Sequence, residues 1–374
     1  MPRTNTRQAA GATLADLALG AVRPPTGQGY ASLVRGKLTW PQPSEPARDR
    51  DVAAALWRDS ALLTGLPGKR FRLGSPNMTE PFGMFEVEVS RTERLSPSFL
   101  RVTFSGGDLA HFADIGYDQR IKLILPLPGH GLAPMPQGPG WYQRWRELPG
   151  ELRNPIRTLT VRLARPHLCE VDVDIALHDD DGHSGPVARW AATVRPGAPA
   201  LLFGPNAGFD GPSAGMAFRP HAENGPVLLA GDETAVPAIA ATLERLPAGC
   251  TGEALMEVPY EADALDIETP SQVKITWLAR SGVPRGSLLH PAVVAAADRL
   301  LPPLAANDSV EDVDVDDLWE VPEDERPPGP LYAWLAGEAG VIKGLRRHLV
   351  ADRGMDRRAV AFMGYWREGR SETG

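Results

Sequence analysis

The hydrophobic periodicity of this chain changes near Pro226, and that change limits the folds it can adopt. Before Pro226, six short segments alternate apolar and polar residues and are separated by turn residues, a pattern typical of strands with one buried face. The segments are FEVEVSRTERL, FLRVTFSG, RIKLILPLP, RTLTVRLAR, EVDVDIALH and ALLFGP. Their even spacing predicts an antiparallel barrel or sandwich.

After Pro226 the apolar runs become continuous. VLLAGDE is followed by the helical pattern TAVPAIAATLERL and by a second apolar run, EALMEVP, which together predict a βαβ unit with a buried parallel strand. QVKITWLAR adds a third strand. LYAWLAGEAG, VIKGLRRHLVADRG and AVAFMGYW predict a final strand, helix and strand. This part of the chain therefore predicts a doubly wound α/β fold.

At 374 residues the chain is long enough for two hydrophobic cores. We predict a β + α/β chain in three parts: an N-terminal extension over residues 1–80, an antiparallel β-barrel domain over 81–215 and a parallel-sheet nucleotide-binding domain over 220–374. The stretch 301–330 inside the last domain is acidic and flanked by prolines, so we expect a surface loop there.

Charge and cysteine content exclude several classes of protein. The 39 Lys and Arg residues against 47 Asp and Glu residues give a net charge of −8, the wrong sign for coating nucleic acid. Two cysteines far apart form neither a disulfide framework nor a metal-ligand spacing, which fits a reducing cytoplasm. The apolar segment 12–22 is too short to span a bilayer, so we expect no signal peptide and no membrane insertion.

Two motifs carry chemistry. In RTLTVR, strand alternation places Arg157 and Leu159 on one face and Thr158 and Thr160 on the other, and hydroxyls beside a guanidinium suit the polar edge of a flavin and a phosphate. Downstream, SGPVARWA predicts a helix start capped by Ser184, whose backbone N–H groups would suit a dinucleotide pyrophosphate. Taken alone, each motif is more often an ordinary edge strand or helix start.

The order of the motifs is more specific than any one of them. RTLTVR, DVDIALH, SGPVARWA, LLAGDETAVPAIAATLE, YAWLAGEAG and GYWREG, in this order, closely resemble the siderophore-interacting proteins, which are FAD-dependent ferric-siderophore reductases. The resemblance covers residues 83–370. It implies a ferredoxin-reductase-like arrangement in which FAD lies on the barrel, NAD(P)H visits the C-terminal domain, and electrons pass to Fe(III) held by a siderophore, releasing Fe(II) for use in the cell.

The resemblance also implies roles for particular residues. It assigns FAD contacts to Arg157, Thr158, Leu159, Thr160 and His178, and the pyrophosphate to Gly185, Pro186, Val187 and Ala188. It places Gly231, Asp232, Glu233, Thr234 and Ala235 where the nicotinamide approaches the flavin. Leu159 stands where the family has a tyrosine that packs on the flavin ring, a loss of about 0.5–1.5 kcal/mol of aromatic contact.

A ferric siderophore is often anionic, so a basic pocket is expected beside the flavin. The candidate substrate-binding cations are Lys122, Lys343, Arg346 and Arg347. A solvated surface charge is an equally good interpretation of each. The stretch 126–149 contains Trp141, Tyr142 and Trp145 and is interpreted either as a lid over the acceptor or as a packed loop, while Trp190, Trp334 and Trp366 are interpreted as packing residues.

Other functions are weighed against this one. GPSAG at 211–215 matches the hydrolase pattern GxSxG, but no strand is predicted before it, which disfavours a serine hydrolase. Two rivals stay open: a paralogue that binds siderophore or nucleotide without transferring electrons, and a reductase with another acceptor such as a quinone, free flavin or redox protein. We expect a monomer. The sequence leaves the siderophore and the choice between NADH and NADPH open.

Overall fold

Two parts of the chain are each internally compact, residues 1–72 and residues 73–374, and each is described by itself. The computed structural model describes residues 80–177, 185–211, 215–219, 226–302, 318–322 and 330–369, with two short N-terminal strands. Those strands, β1 (Ser32–Val34) and β2 (Lys37–Thr39), form an antiparallel pair. The helical patterns in the N-terminal extension lie outside the described residues.

The first large sheet is antiparallel and curls around a hydrophobic core. Its strands follow the order β6-β5-β9-β3-β4-β8-β7. Alternation explains why β3 belongs to it, since Phe85, Val87 and Val89 are buried while Glu86 is exposed. The seven strands are β3 (Phe82–Arg94), β4 (Phe99–Ser105), β5 (Arg120–Ile124), β6 (Ile156–Thr160), β7 (Leu163–Arg165), β8 (Glu170–Ala176) and β9 (Pro199–Pro205).

The segment RTLTVRLAR forms two strands, so the prediction of one strand there was wrong. Thr160 ends the pairing with β5, and Leu163 begins the pairing with β8. Between them, the amide of Val161 donates to the Gln119 carbonyl and the amide of Arg162 donates to the Asp172 carbonyl, each at 2.8 Å. The chain turns a corner because these two residues exchange one partner strand for another.

The second sheet is parallel except at one edge. Its order is β12-β11-β10-β14-β15-β13, and only β13 runs antiparallel to its neighbour. The order reverses between β10 and β14, where ligands bind in sheets of this kind. The strands are β10 (Val227–Gly231), β11 (Thr251–Val258), β12 (Gln272–Ala279), β13 (Trp319–Glu320), β14 (Tyr332–Glu338) and β15 (Val360–Trp366).

Five α-helices accompany the sheets in the described part of the chain. They are α1 (Trp141–Glu147), α2 (Pro186–Thr193), α3 (Val236–Leu243), α4 (Leu289–Leu300) and α5 (Ala339–Arg346), the last continuing as a π-helical segment over Arg347–Asp352. Helices α1 and α4 are absent from the sequence prediction. Within the expected surface loop 301–330, the described residues 318–320 depart from the prediction, because Trp319–Glu320 form β13 and Leu318 is buried in the core beneath α4 and α5.

Buried polar contacts join the two sheets. The Asp118 carboxylate, just before β5, accepts from the Trp334 indole of β14 at 3.0 Å and from the amides of Ala217 and Phe218. Burial raises the pKa of Asp118. All of α3 is buried, and its core includes Phe99 of β4.

The fold-class prediction is confirmed: an antiparallel half-barrel is followed by a mostly parallel α/β sheet. Among the described residues, no helix has the length and apolar content needed to cross a membrane.

Candidate functional site

The RTLT motif and the start of α2 lie close together on the half-barrel, although Arg157 and Gly185 are 28 residues apart in sequence. A Cβ atom built on Gly185 would lie 3.9 Å from the terminal guanidinium nitrogen Nη2 of Arg157, so β6 and the start of α2 converge. A larger residue at Gly185 would enter the space beside that guanidinium. A fixed cation and the positive end of a helix dipole favour the same occupant, an anion.

Helix α2 begins one residue later than predicted. Gly185, in extended conformation, is the N-cap residue and Pro186 is the first helical residue, so the prediction of Ser184 as the cap was wrong. Ser184 and His178 lie outside the described residues. Gly185 has no side chain to occupy the first-turn N–H groups of Val187 and Ala188, and the missing N–H of Pro186 costs nothing at this position.

The rest of the RTLT motif is partly turned inward. Thr158 is exposed and Thr160 is buried, 7% accessible. Leu159 is half-buried and packs against the half-barrel core. The motif therefore offers a hydroxyl and an apolar surface beside the Arg157 cation.

The carboxyl edge of the second sheet is built around Asp232. Its Oδ1 accepts from the Thr234 amide at 2.9 Å and the Thr234 hydroxyl at 2.6 Å. Its Oδ2 accepts from the Glu338 amide at 2.8 Å and the Trp366 indole at 2.9 Å. Burial, reinforced by the neighbouring Glu233 carboxylate, raises the pKa of Asp232 to about 6. This carboxylate therefore ties the ends of β10, β14 and β15 together.

Two glycines permit this close packing. A Cβ on Gly231 would lie 2.5 Å from the Ala336 carbonyl oxygen. Gly337 has φ of +149°, and a Cβ there would lie 2.7 Å from Oδ2 of Asp232. Glycine at these two positions therefore lets β10, α3 and β14 pack closely at the switch point.

Glu233 belongs to a buried ion-pair network. It is fully buried and receives the Arg280 guanidinium on both oxygens, at 2.7 and 3.1 Å, and Nε of Arg285 at 3.4 Å. Arg280 also lies 3.4 Å from Glu257, which accepts the amides of Gly286, Leu288 and Leu289 around the start of α4. Both carboxylate oxygens of Glu233 are therefore paired with arginines inside the protein.

The sequence prediction missed the arginines of this edge. Arg285 lies with its guanidinium carbon 4.8 Å from the Trp366 ring centroid, so the loop after β12 reaches the end of β15. These arginines could have been found from their position, because the segment ARSGVPRGS follows the third parallel strand, and loops at the carboxyl ends of such strands form ligand sites. Thr234 faces Asp232, and the buried Ala235 caps α3.

The four candidate cations lie in two places. Lys122 is on β5, with Nζ 3.4 Å from the Thr158 hydroxyl and 5.4 Å from the Tyr142 ring centroid. Lys343 is half-buried on α5, and Arg347 is exposed just beyond it. Arg346 is 3% accessible, with Nε 2.9 Å from Glu320 and Nη2 3.1 Å from the same carboxylate. Arg346 therefore joins α5 to β13.

Part of the stretch 126–149 packs onto the half-barrel through helix α1. Trp141 and Trp145 of α1 are buried with Ile124, Ile156 and Leu201. Of the three tryptophans interpreted as packing residues, Trp334 is buried, while Trp190 and Trp366 are partly accessible.

Within the described ranges, no cluster of three or more His, Cys, Asp or Glu side chains is arranged to hold a metal ion.

A flavin-binding half-barrel followed by a parallel nucleotide-type sheet is the ferredoxin-reductase-like class of fold. Residues 88–209 match the family model of the siderophore-interacting FAD-binding domain, and residues 225–369 match that of the siderophore-interacting protein. The chain belongs to the siderophore-interacting protein family.

Curated relatives match over most of their own length. A protein of Mycobacterium tuberculosis described as uncharacterized is 33% identical over 295 residues, 78% of this chain and 92% of the relative. The ferric vibriobactin reductase of Vibrio cholerae is 28% identical over 76% of this chain and 90% of its own. The NADPH-dependent ferric-chelate reductase of Escherichia coli is 26% identical over 75% of this chain and 92% of its own.

Solved structures of the same family have the same fold. A siderophore utilization protein from T. fusca superposes with a TM-score of 0.58 at 29% identity, covering 79% of this chain and 97% of that one. A siderophore-interacting protein from Aeromonas hydrophila gives a TM-score of 0.55 at 28% identity, covering 77% and 93%.

Proposed function

We propose that the chain is an FAD-dependent reductase that passes electrons from NAD(P)H to a ferric siderophore and releases Fe(II). The convergence of Arg157 with the start of α2 carries the proposal, because a guanidinium beside a helix N-terminus favours an anion and lies in the region that matches an FAD-binding domain. Two relatives named as ferric reductases support the reaction type. The flavin domain is proposed over residues 81–215 and the nucleotide domain over 220–374.

The residues present fit FAD. The Arg157 guanidinium and the first-turn amides of α2 would hold the pyrophosphate, since both are donors at one anion site. Thr158 and Thr160 would donate hydroxyl hydrogen bonds, and Leu159 would give an apolar contact. His178 is retained on the resemblance. The proposed flavin set is Arg157, Thr158, Leu159, Thr160, His178, Gly185, Pro186, Val187 and Ala188.

Bound FAD would supply the exchange between a two-electron hydride donor and the one-electron reduction of Fe(III). The protein then needs no side chain as acid, base or nucleophile. Its residues position the ligands and exclude water. Reduction favours release because hard, anionic oxygen chelators hold Fe(III) far better than Fe(II).

The carboxyl edge of the second sheet is the proposed nicotinamide nucleotide site, over Gly231 to Ala235. The edge lies where the strand order reverses between β10 and β14, and Asp232 fixes the three strand ends that form it. Asp232 and Glu233 act in this proposal through the scaffold, because their carboxylates are satisfied within the protein.

The proposed siderophore cations are Lys122, Lys343 and Arg347. Lys122 is the best placed, since its ammonium group lies next to Thr158, one residue from Arg157. Arg346 is left out of the proposal because its guanidinium is buried against Glu320. We place the activity in the cytoplasm, in a monomer, with a ferric siderophore as the substrate.

Visible spectroscopy tests the proposal. The purified chain, supplied with FAD and freed of excess, should retain flavin absorbance, and anaerobic NADH or NADPH should bleach it. A chain that stays colourless after FAD addition contradicts the reductase and favours the binding paralogue. A chain that bleaches normally but is reoxidised only by quinone, free flavin or a redox protein contradicts the siderophore acceptor.

A further inference from the structure

Helix α3 begins at the proposed nicotinamide site and ends against the half-barrel. Ala235 is its N-cap residue, and the Ala235 amide donates to the Asp232 carbonyl at 2.9 Å. A Cβ atom built on Gly231 would collide with Cβ of Ala235, so the helix start packs directly on the end of β10. All eight residues of α3 are buried, and a helix of this length spans about 12 Å. Because the helix is short and stiff, the placement of its far end also places its start.

The two residues that follow α3 carry opposite charges and reach two separate points of the half-barrel. The Glu244 carboxylate accepts from both terminal nitrogens of the Arg162 guanidinium, with Oε2 at 2.6 Å from Nη1. Nη2 of Arg245 donates to Oδ1 of Asp114, also at 2.6 Å. The two pairs have opposite polarity, so each contact repels the residue that fits the other one. Two contacts at different points restrain the rotation of the helix as well as its position.

The half-barrel is shaped to receive these two side chains. Arg162 lies two residues after Thr160, the last residue of β6, and its Nε is 3.5 Å from Asp174 of β8. Gly116 has φ of +86°, and a Cβ atom there would lie 2.6 Å from Cδ of Arg245, so a glycine makes room for the arginine stem. The Arg162 contact therefore connects the proposed flavin strand to the helix that begins at the proposed nicotinamide site.

Stability is a poor explanation for these pairs. Three of the four side chains are about one-third accessible, at 32% for Glu244, 34% for Arg245 and 35% for Asp114. Ion pairs this exposed contribute little to folding. Alignment for a reaction is far more demanding, because reacting atoms must lie about 3–3.5 Å apart and a misplacement of about 1 Å costs about 100-fold in rate. Contacts of little value to folding are therefore valuable where two ligands must be aligned.

We propose that Glu244 and Arg245, paired with Arg162 and Asp114, are positioning residues for hydride transfer. The two ion pairs hold α3 against the half-barrel and so set how the nicotinamide meets the flavin. The hydride leaves nicotinamide C4 with its electron pair and arrives at flavin N5, leaving the oxidised nucleotide. None of the four residues belongs to the proposed FAD or nucleotide set, so ligand affinity does not depend on them. The inference rests on the proposed function and assigns the residues that align its first step.

The test inverts the two charges at the end of α3. Glu244→Arg combined with Arg245→Glu keeps the composition and the net charge and places like charges at both contacts. Arg245→Glu alone is repulsive toward Asp114, and Asp114→Arg combined with Arg245→Glu restores that attraction with its polarity reversed. The FAD-loaded full chain is mixed anaerobically with increasing NADPH or NADH. Bleaching of the flavin then gives a limiting rate and a donor Kd.

The inverted variant should lower the limiting rate about 10- to 100-fold, the loss expected when the reacting atoms are displaced by up to about 1 Å. Its donor Kd and FAD Kd should keep their parental values. A tetrahydro analogue of the donor, which cannot give up a hydride, should show a weaker long-wavelength charge-transfer absorbance with the inverted variant, because this band requires stacked rings. Asp114→Arg with Arg245→Glu should bleach faster than Arg245→Glu alone.

A parental limiting rate and charge-transfer band in the inverted variant would overturn the positioning role. So would a loss explained wholly by weaker donor or FAD binding, or one that the charge-swapped pair does not recover. Urea titration checks each fold, and if the inverted variant does not fold, Arg245→Glu and the charge-swapped pair decide by the same criteria. Failure of the reductase proposal looks different, because the parent chain itself then lacks flavin absorbance or is bleached by neither nucleotide.

Discussion

The half-barrel and the α/β sheet use their charged motif residues in opposite ways. On the half-barrel, Arg157 lies beside the start of α2, and a cation next to a helix N-terminus favours an anion. At the edge of the α/β sheet, Asp232 and Glu233 are turned inward and are fully hydrogen-bonded by their own protein.

The difference separates the residues that we propose to bind a ligand from the residues that hold the scaffold. A charge that meets a ligand acts through the bonds it makes with that ligand. A buried charge that only holds strand ends must be paired, because an unpaired one is costly. The comparison therefore predicts that substitutions at the α/β edge act mainly on stability and those on the half-barrel mainly on flavin affinity.

Loss of the Glu233 carboxylate should have the largest effect. Glu233→Ala leaves the buried Arg280 without its bidentate partner and should lower the free energy of unfolding by about 3–5 kcal/mol, measured by urea titration. Arg358→Ala is the control, since it removes half of an exposed pair with Asp356 and should change the free energy of unfolding far less. Similar losses for the two variants would contradict a scaffold role for Glu233.

Asp232 should make stability depend on pH. Burial raises its folded-state pKa to about 6, so between about pH 4 and 6 the folded chain holds a proton that the unfolded chain has lost. The free energy of unfolding of the parent minus that of Asp232→Asn should therefore fall by about 1.4 kcal/mol per pH unit in this window. It should level off above pH 6. Urea titrations at several pH values measure it, and a difference independent of pH would show that Asp232 is ionised throughout.

Arg157→Ala should weaken FAD binding by about 10- to 150-fold, the equivalent of a lost charge-assisted hydrogen bond of about 1.5–3 kcal/mol. Flavin fluorescence quenching gives the Kd. Riboflavin, which has no phosphates, should bind the variant and the parent alike. Arg195→Ala removes an arginine whose donors reach the Thr193 and Val194 carbonyls, and it should leave FAD affinity unchanged. Equal loss of riboflavin and FAD would contradict the pyrophosphate assignment.

Leu159→Tyr should have the smallest effect. Restoring the ring that the family places here should tighten FAD binding by about 0.5–1.5 kcal/mol, or about 2- to 12-fold. The half-buried Leu159 packs on the half-barrel core, so a urea titration must accompany the fluorescence measurement. Unchanged FAD affinity in a variant of parental stability would show that the family tyrosine is dispensable in this chain.

Periodicity predicted much of the fold because burial is local in sequence. Phe85, Val87 and Val89 alternate with outward residues, and the wholly buried β10 reads as one apolar run. Periodicity missed the corner at Val161 and Arg162, since alternation continues through it while the partner strand changes. The start of α4 had no local cap to mark it, because its amides are held by Glu257 from β11.

The sequence predicted the motifs of the candidate site. It did not predict how their residues are arranged in space. Arg157 and the glycine before α2 are visible in the sequence, but their meeting depends on how β6 and α2 are placed by the whole half-barrel. Glu233 is paired inside the protein with Arg280, which is 47 residues away in sequence. Arg346 is paired in the same way with Glu320. Spacing along the chain does not encode such pairings.

Electron transfer from donor to iron is the central claim, and a single anaerobic reaction tests it most directly. The FAD-loaded chain, first reduced with a stoichiometric amount of NADPH or NADH, is mixed with a ferric siderophore in the presence of an Fe(II)-specific chromogenic chelator. The account predicts recovery of oxidised-flavin absorbance with one Fe(II) formed for each electron given up. Reduced flavin that persists beside ferric siderophore without forming Fe(II) would contradict it.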